Sequence, residues 1–218
     1  MSDQPIGQMP LDLMTAEAPS LENFVPGDNQ AALAALAACR AGEGPQFIYL
    51  WGPQGSGKTH LLKAMTPAQE GRVPVYREGV TLYTVDDIER LSAGELEDLF
   101  VLMNFVRSNP GCRLVSAGAV PVAEMQGLRA DVASRLNWGL TFALEPLSSE
   151  ACIAEFTRLA AQRGIEITPQ MDLWIEQNCP RDIKSLKEFL ERIDLYALSN
   201  KKKVTKPLIT RLGKERQQ

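Results

Sequence analysis

An octapeptide at residues 52–59, GPQGSGKT, constrains this chain more than any other feature, because it matches the pattern G-x-x-x-x-G-K-[ST] at every position. A short apolar run at residues 46–51 precedes it, and a helical pattern follows it. A strand, a glycine-rich turn and a helix in this order bring backbone N–H groups and the positive end of a helix dipole to phosphate oxygens. In such a loop Lys58 reaches the β- and γ-phosphates, and the Thr59 hydroxyl ligates Mg²⁺. The octapeptide therefore predicts a nucleotide site.

Apolar runs and helical patterns alternate along the first two thirds of the chain. We expect five strands, at residues 46–51, 73–76, 81–85, 113–117 and 140–144. Helical patterns lie between them, among them an alanine-rich stretch at 29–40 and a helix that a capping box opens at Ser92. This alternation is typical of an α/β protein with a parallel sheet and right-handed crossovers.

After Pro146 the pattern contains helices only. One is expected at 149–163, a second opens at Thr168 with a proline in its first turn, and the last long helix begins near Pro180. We therefore predict an extended tail over residues 1–20, a P-loop α/β body over 21–147 and a small all-helical lid domain over 148–218.

Composition and charge exclude several functional classes. A chain of 218 residues with 44% hydrophobic residues can bury a core, and its net charge of −4 argues against broad nucleic-acid binding. No apolar run approaches the ~20 residues of a membrane span, and the N-terminus lacks the pattern of a secretion signal, so we expect a soluble, cytoplasmic protein. One histidine and four scattered cysteines argue against a zinc site. The basic residues from Lys201 to Arg216 are interpreted as a solvated tail or helix end, with contact to DNA phosphates as the alternative.

Four charged positions add to the expected chemistry. Asp86 and Asp87 follow an apolar run, and downstream of a phosphate loop they are expected to give a second Mg²⁺ contact and a group that orients the attacking water. Arg135, taken alone, is interpreted as a surface charge or an ion-pair partner. Arg181 lies outside the apolar stripe of the last long helix, where it is either a solvated charge or a phosphate contact delivered by the lid.

The expected tail contains a short amphipathic hexapeptide, QMPLDL, at residues 8–13. Its Leu11 and Leu13 are suited to a pocket on a partner protein, and Gln8 to a hydrogen bond at the rim of that pocket. Such hexapeptides also arise by chance, so the residues alone do not assign the partner.

Several segments together resemble the AAA+ ATPases, and within them the DnaA branch. The segments are residues 23–29, 57–64, 85–88, 134–140 and 181–183. Over about residues 21–206, the resemblance implies a linker that approaches the adenine, a Mg²⁺ strand, an arginine-finger segment and a lid sensor helix.

The resemblance and the phosphate loop together imply the residues of the site. The implied nucleotide-binding residues are Phe24, Val25, Gly52, Pro53, Gln54, Gly55, Ser56, Gly57, Lys58, Thr59, His60 and Arg181. The implied metal ligands are Thr59 and Asp86. The implied catalytic residues are Asp87 and, acting in trans, Arg135.

A DnaA-like ATPase module preceded by such a hexapeptide resembles the Hda family of DnaA regulators. The chain is expected to lack DnaA's C-terminal DNA-binding domain, and the segment between the phosphate loop and Asp86 leaves no room for its extra initiator helices. The resemblance implies a negative regulator of replication initiation that binds ATP or ADP with Mg²⁺. It also implies attachment of the hexapeptide to the DNA-loaded β sliding clamp of DNA polymerase III, and stimulation of the hydrolysis of DnaA-bound ATP through Arg135. DNA is then contacted indirectly, through the clamp, and self-association is expected because AAA+ domains share sites between neighbours.

One departure from the family bears on the chain's own activity. Where the family has a polar sensor, at the end of the fourth expected strand, this chain has Ala117-Gly118-Ala119, and the nearest hydroxyl is that of Ser116. We therefore expect tight nucleotide binding with weak or no intrinsic ATPase activity. The alternative is a helicase-loader-like or other DnaA-derived remodelling ATPase that uses its own hydrolysis. A DNA-binding initiator is disfavoured by acidity and length.

Overall fold

A computed structural model describes residues 18–66, 70–200 and 203–214 of the chain. These residues form two compact units, a body that spans Pro19–Ser148 and a C-terminal unit that begins at Ser149. The clamp-type hexapeptide at residues 8–13 lies outside the described residues.

The body is built on a parallel sheet of four strands. The strands are β1 (Phe47–Trp51), β2 (Leu82–Val85), β3 (Arg113–Gly118) and β4 (Leu140–Ala143). Their order across the sheet is β2-β3-β1-β4, and every neighbouring pair runs parallel. The carboxyl ends of all four strands therefore meet at one edge of the sheet, and their amino ends at the other.

Helices cover both faces of this sheet. They are α1 (Gln30–Arg40), α2 (Lys58–Met65), α3 (Ala93–Ser108) and α4 (Ala130–Leu136), with 3₁₀ turns at Ile88–Arg90 and Val122–Glu124. Along β1, Ile48 and Leu50 pack with α1 and α2 on one face, while Phe47 and Tyr49 pack with α3 and α4 on the other. Because β1 is buried on both faces, its sequence is a continuous apolar run and not an alternation of apolar and polar residues.

The expected strand at residues 73–76 is wrong. Val75 is 78% exposed, and the Tyr76 ring packs on Phe105 of α3 with 3.6 Å between ring centroids. Pro74 has no N–H group to donate to a sheet ladder. The segment therefore lies beside α3 instead of extending the sheet beyond β2. The prediction of an α/β fold with a parallel sheet and a helical lid is otherwise confirmed, with four strands in place of five.

The C-terminal unit contains helices only in its described part. They are α5 (Ser149–Gln162), α6 (Pro169–Asn178), α7 (Ile183–Asn200) and α8 (Lys206–Lys214). Phe156 of α5 stacks on Phe189 of α7, with ring centroids 6.4 Å apart. The start of α7 differs from the expectation near Pro180, because Asp182 accepts a hydrogen bond from the Ser185 N–H at 2.8 Å and caps the helix there.

Part of the basic C-terminal stretch is the folded helix α8. Its Leu208, Ile209 and Leu212 are buried, so these residues belong to the core of the C-terminal unit. None of the helices in the described ranges is long and apolar enough to cross a membrane. All four cysteines are free thiols, and burial raises the pKa of Cys39 to about 11.

Gly139, just before β4, allows the chain to pass close to the backbone of β1 at the amino edge of the sheet. A Cβ atom there would lie 1.8 Å from the Phe47 carbonyl oxygen, a backbone atom that cannot move aside. We expect Gly139→Ala to lower the free energy of unfolding by about 3 kcal/mol, measured by urea denaturation. Gly94→Ala in α3 is the matched control, because a Cβ there meets nothing within 4 Å. Equal stability of the two variants would contradict this account of the edge.

Candidate nucleotide site

The phosphate loop leaves the carboxyl end of β1 and enters α2. Gly52 lies so close to β4 that a Cβ atom would be 2.3 Å from the Leu144 carbonyl oxygen. Gly57, which precedes the first helical residue, has a φ of 90°, a left-handed conformation that favours glycine. The predicted strand, turn and helix are therefore present in that order.

Two side chains of the loop are suited to an anion. The Ser56 hydroxyl is buried and has no hydrogen-bond partner among the described residues. The Lys58 ammonium lies inside the loop, where it donates to the carbonyl oxygens of Gly52 at 2.6 Å and Pro53 at 2.9 Å. A buried hydroxyl without a partner is costly unless a ligand supplies one. These residues, with the N-terminal N–H groups of α2, therefore fit the phosphates of a nucleotide.

The expected metal ligands lie next to each other. The Thr59 hydroxyl donates to the Asp86 carboxylate at 2.6 Å, which joins the start of α2 to the end of β2. The other oxygen of this carboxylate accepts a hydrogen bond from the Asp87 N–H at 2.9 Å. A hydroxyl and a carboxylate are oxygen donors of the kind that Mg²⁺ prefers, so this pair fits the ion.

Asp87 borders the same region. Its φ of 47° is the one left-handed value among the described non-glycine residues, and its carboxylate lies 3.5 Å from the Arg90 guanidinium. Together with Thr59 and Asp86 it lines an open groove of about 240 Å³, which Lys63 and Arg72 also line. The predicted Mg²⁺ and water-orienting residues are thus brought together at one edge of the sheet.

The linker before α1 reaches the loop through an aromatic ring. The Phe24 ring lies against Gly57, where a Cβ atom would be 2.6 Å from it, and its centroid is 5.5 Å from that of His60. A ring nitrogen of His60 is 3.0 Å from the Ser20 carbonyl oxygen. Val25 is half-buried beside Phe24. The linker is therefore packed on the loop helix, and the role of Phe24 and Val25 in nucleotide binding stays a prediction.

The end of β3 carries no polar side chain directed to the loop. The Ser116 hydroxyl is buried, 3.4 Å from the Ile48 carbonyl oxygen inside the sheet. A residue that the sequence did not point to, Glu89, accepts a hydrogen bond there from the Ala119 N–H at 3.2 Å. Burial raises the pKa of Tyr49, and the negative charge of Glu89 raises it further.

Arg135 lies at the opposite edge of the sheet from the phosphate loop. It is in the last turn of α4, and the chain passes through Gly139 into the amino end of β4, beside Phe47. The loop begins after Trp51, at the carboxyl end of β1. A strand rises about 3.3 Å per residue, so the length of β1 separates the two edges by roughly 16 Å.

The Arg135 side chain is packed on the surface of α3. Its guanidinium is 4.0 Å from the centroid of the Phe100 ring, and its Nε donates to the Asn104 side chain at 3.1 Å. Sequence reasoning missed both partners. The available signal was their spacing, because an aromatic residue and an amide stand one turn apart on α3 outside its buried stripe.

Arg181 belongs to the C-terminal unit. It is exposed and precedes α7 by two residues. Its predicted role as a lid contact to phosphate stays a prediction, as does the role of the hexapeptide.

Solved structures with a similar fold are AAA+ proteins. Domain III of the replication initiator DnaA from Thermotoga maritima matches with a TM-score of 0.71 and 21% identity, covering 91% of this chain and 97% of that one. AMPPCP-bound DnaA from Aquifex aeolicus matches with a TM-score of 0.64 and 18% identity over 84% of this chain and 67% of that one. The Holliday junction branch migration motor RuvB of T. maritima matches with a TM-score of 0.62 and 17% identity over 89% and 70%.

The chain therefore has the α/β fold of the AAA+ proteins, with a parallel sheet, a phosphate loop and a C-terminal helical unit. Residues 149–212 match the family model described as "Hda, lid domain". The C-terminal unit therefore matches the Hda lid family, and the chain shares its fold with the DnaA and RuvB structures.

The Thr59–Asp86 pair generates a test of the metal site. We expect Thr59→Val to abolish the gain in ADP affinity that Mg²⁺ gives, because the variant keeps the side-chain shape and loses the hydroxyl. Titration of a fluorescent ADP analogue with and without Mg²⁺ measures that gain. Thr66→Val is the matched control, since its hydroxyl is bonded to Thr84 at the other end of α2. A Mg²⁺-dependent gain that survives Thr59→Val would exclude Thr59 as a ligand.

Proposed function

We propose that this protein is a negative regulator of replication initiation that stimulates the hydrolysis of ATP bound to DnaA. In this proposal it binds ATP or ADP with Mg²⁺ in its own loop and supplies Arg135 to the γ-phosphate of the partner's nucleotide. The observation that carries the proposal is the position of Arg135 at the edge of the sheet opposite its own loop. The match of the C-terminal unit to the Hda lid family supports the choice of DnaA as the partner.

The distance between the two edges favours action on another molecule. An arginine side chain cannot span the roughly 16 Å length of β1, so Arg135 is not available to the protein's own phosphates. In hydrolysis, water attacks the γ-phosphorus and ADP leaves, while negative charge is spread over the transferred phosphoryl oxygens. An arginine supplied across an interface stabilises that charge, which is the chemistry we assign to Arg135.

The protein's own nucleotide has a supporting role in this proposal. Phe24 packs on the loop helix, so a nucleotide bound there stabilises the linker and the body together. Bound Mg²⁺ supplies charge neutralisation at the phosphates, with Thr59 and Asp86 as its ligands and Asp87 placed to orient water. The Ser116 hydroxyl is bonded inside the sheet, which supports slow turnover of this nucleotide.

The hexapeptide at residues 8–13 provides the proposed link to replication. Gln8, Leu11 and Leu13 have the chemistry for a pocket with an apolar floor and a polar rim on the β sliding clamp. Attachment to a clamp loaded on DNA raises the local concentration of the regulator near DnaA. Initiation is then suppressed where replication is under way, with no direct contact to DNA.

The decisive variant is Arg135→Ala. We expect wild-type protein to accelerate single-turnover hydrolysis of ATP pre-bound to DnaA, with clamp loaded on DNA, and Arg135→Ala to lower that rate by roughly 10³-fold, the lower end of arginine-finger effects. Nucleotide binding by the variant should equal that of the wild type, because the loop lies at the other edge of the sheet.

Arg129→Ala is the matched control for this experiment. Arg129 is on the same side of the body, but its guanidinium is paired with Glu97 and Asp131. Loss of stimulation in both variants would indicate a general charge effect instead of a finger. No stimulation by the wild type, combined with rapid turnover of its own ATP, would overturn the proposal in favour of a remodelling ATPase.

The clamp contact has a separate test in the tail. We expect Gln8→Ala to weaken binding to immobilised β clamp at least tenfold. The variant still buries its two leucines in the pocket but loses the hydrogen bond that Gln8 makes at the rim. Gln4→Ala is the matched control, since it removes the same side chain four residues earlier. Equal clamp affinity of the two variants would show that residues 8–13 are not the clamp-binding segment.

A further inference from the structure

Two arginines of the body, the exposed Arg107 and the half-buried Arg135, have no carboxylate partner among the described residues. The other arginines of the body differ in this respect. Those that form an ion pair with an acidic side chain are Arg40, Arg72, Arg77, Arg90 and Arg129. Arg113 is buried, and its guanidinium donates to backbone carbonyl oxygens. The described part of the body therefore has two guanidinium groups near its surface whose charge is not neutralised.

These two arginines share one aromatic ring. The Arg107 guanidinium is 4.2 Å from the centroid of the Trp138 ring, and the Arg135 guanidinium is 5.1 Å from it. Both distances are within the ~6 Å over which a cation is attracted to a ring face. Groups so close to one ring lie within roughly 10 Å of each other, about the Debye length at 0.1 M salt, so they attract a nearby anion together.

The Trp138 ring is fixed by the body. Its backbone N–H donates to the Arg135 carbonyl oxygen at 3.0 Å, just after α4. Its ring packs edge-on against the buried Phe47 of β1, with centroids 5.5 Å apart. A fixed ring restricts the rotamers of the arginine that lies on it. Arg107 therefore loses less side-chain entropy than a free arginine when it pairs with a group on another protein.

Arg107 is not needed to complete the end of α3. It is in the last turn of that helix, where a cation interacts favourably with the helix dipole. The carbonyl groups at this end already have a donor, because the Gln46 Nε2 donates to the Val106 oxygen at 2.7 Å and to the Asn109 oxygen at 2.9 Å. The Arg107 guanidinium has no hydrogen bond to a described residue. Its N–H donors are therefore available to a ligand.

Two guanidinium groups without partners favour an anionic ligand. Like charges held close together repel each other, and a bound anion removes that cost. Guanidinium groups bind carboxylates and phosphates with two parallel hydrogen bonds. In the proposed function Arg135 meets the partner's γ-phosphate. Arg107 is the more exposed of the two, so it faces the protein surface around the partner's nucleotide, where carboxylates are the anions.

We propose that Arg107 is a docking residue whose guanidinium pairs with a carboxylate on the surface of DnaA, next to the nucleotide that Arg135 reaches. This inference rests on the proposed function. A charge at the rim of an interface acts on the formation of the complex, through a salt-dependent attraction between the two proteins. Arg107 therefore sets the concentration at which the protein stimulates hydrolysis, whereas Arg135 sets the maximal rate.

The test uses Arg107→Gln, which removes the charge, and Arg107→Lys, which keeps it. The readouts are the maximal single-turnover rate of DnaA-bound ATP hydrolysis and the protein concentration that gives half of it, each at low and at high KCl. Thermal unfolding and ADP binding report on the fold. Arg40→Gln is the matched control, because Arg40 is also in the last turn of a body helix but is paired with Glu22.

We expect Arg107→Gln to raise the half-maximal concentration roughly tenfold at low KCl, with less than a twofold change in the maximal rate. High KCl should reduce this difference from the wild type, because salt screens the pair. Arg107→Lys keeps the charge but loses the planar fork, so its shift should be roughly threefold. Arg40→Gln should match the wild type in both readouts. If Arg107→Gln does not fold, the comparison of Arg107→Lys with Arg40→Gln decides the matter.

Four results would overturn the inference while leaving the proposed function intact. They are a wild-type half-maximal concentration for Arg107→Gln, an equal shift in Arg40→Gln, a shift that high KCl does not reduce, and a loss confined to the maximal rate. The last of these would assign Arg107 to a phosphate of the partner's nucleotide. In each case Arg135→Ala still abolishes stimulation. Absence of stimulation by the wild type would overturn the proposed function and this inference together.

Discussion

The parallel pairing of β1 with β3 on one side and with β4 on the other is the constraint on which the body depends. Because β1 is buried on both faces, its register cannot slip without moving core residues such as Tyr49 and Leu50 out of their clusters. Parallel pairing also separates the chemistry of the chain into two edges. The phosphate loop and the acidic pair Asp86-Asp87 follow strand ends, whereas Arg135 precedes a strand start.

This separation gives the proposed mechanism its physical basis. A cation held at the amino edge cannot serve phosphates at the carboxyl edge of the same sheet, so its proposed target is a nucleotide on another molecule. Aromatic rings and neutral oxygens hold the Arg135 guanidinium, which leaves its charge available. The loop, in contrast, uses backbone groups and the buried Ser56 hydroxyl. Each edge therefore has the kind of ligand-binding chemistry that its proposed role needs.

Much of the fold was predictable from local patterns. The octapeptide with its flanking strand and helix, the capping box at Ser92 and the cap at Thr168 all depend on neighbours in the sequence, and the structure has an element at each. The prediction of a strand at residues 73–76 is wrong because it depends only on the β-type composition of the segment and not on its surroundings. The Tyr76 ring packs on Phe105, a contact between residues far apart in the chain, and no periodicity reports on such a contact.

The sequence by itself determined the phosphate loop, the acidic pair, the α/β order of the body and the resemblance to DnaA-related AAA+ proteins, because each depends on residue types at short, regular spacing. Only the tertiary structure decided that Thr59 meets Asp86, that Glu89 reaches the end of β3, and that Phe100 and Asn104 hold Arg135. These contacts join elements that are separated along the chain, and their geometry is set by how helices pack on a twisted sheet.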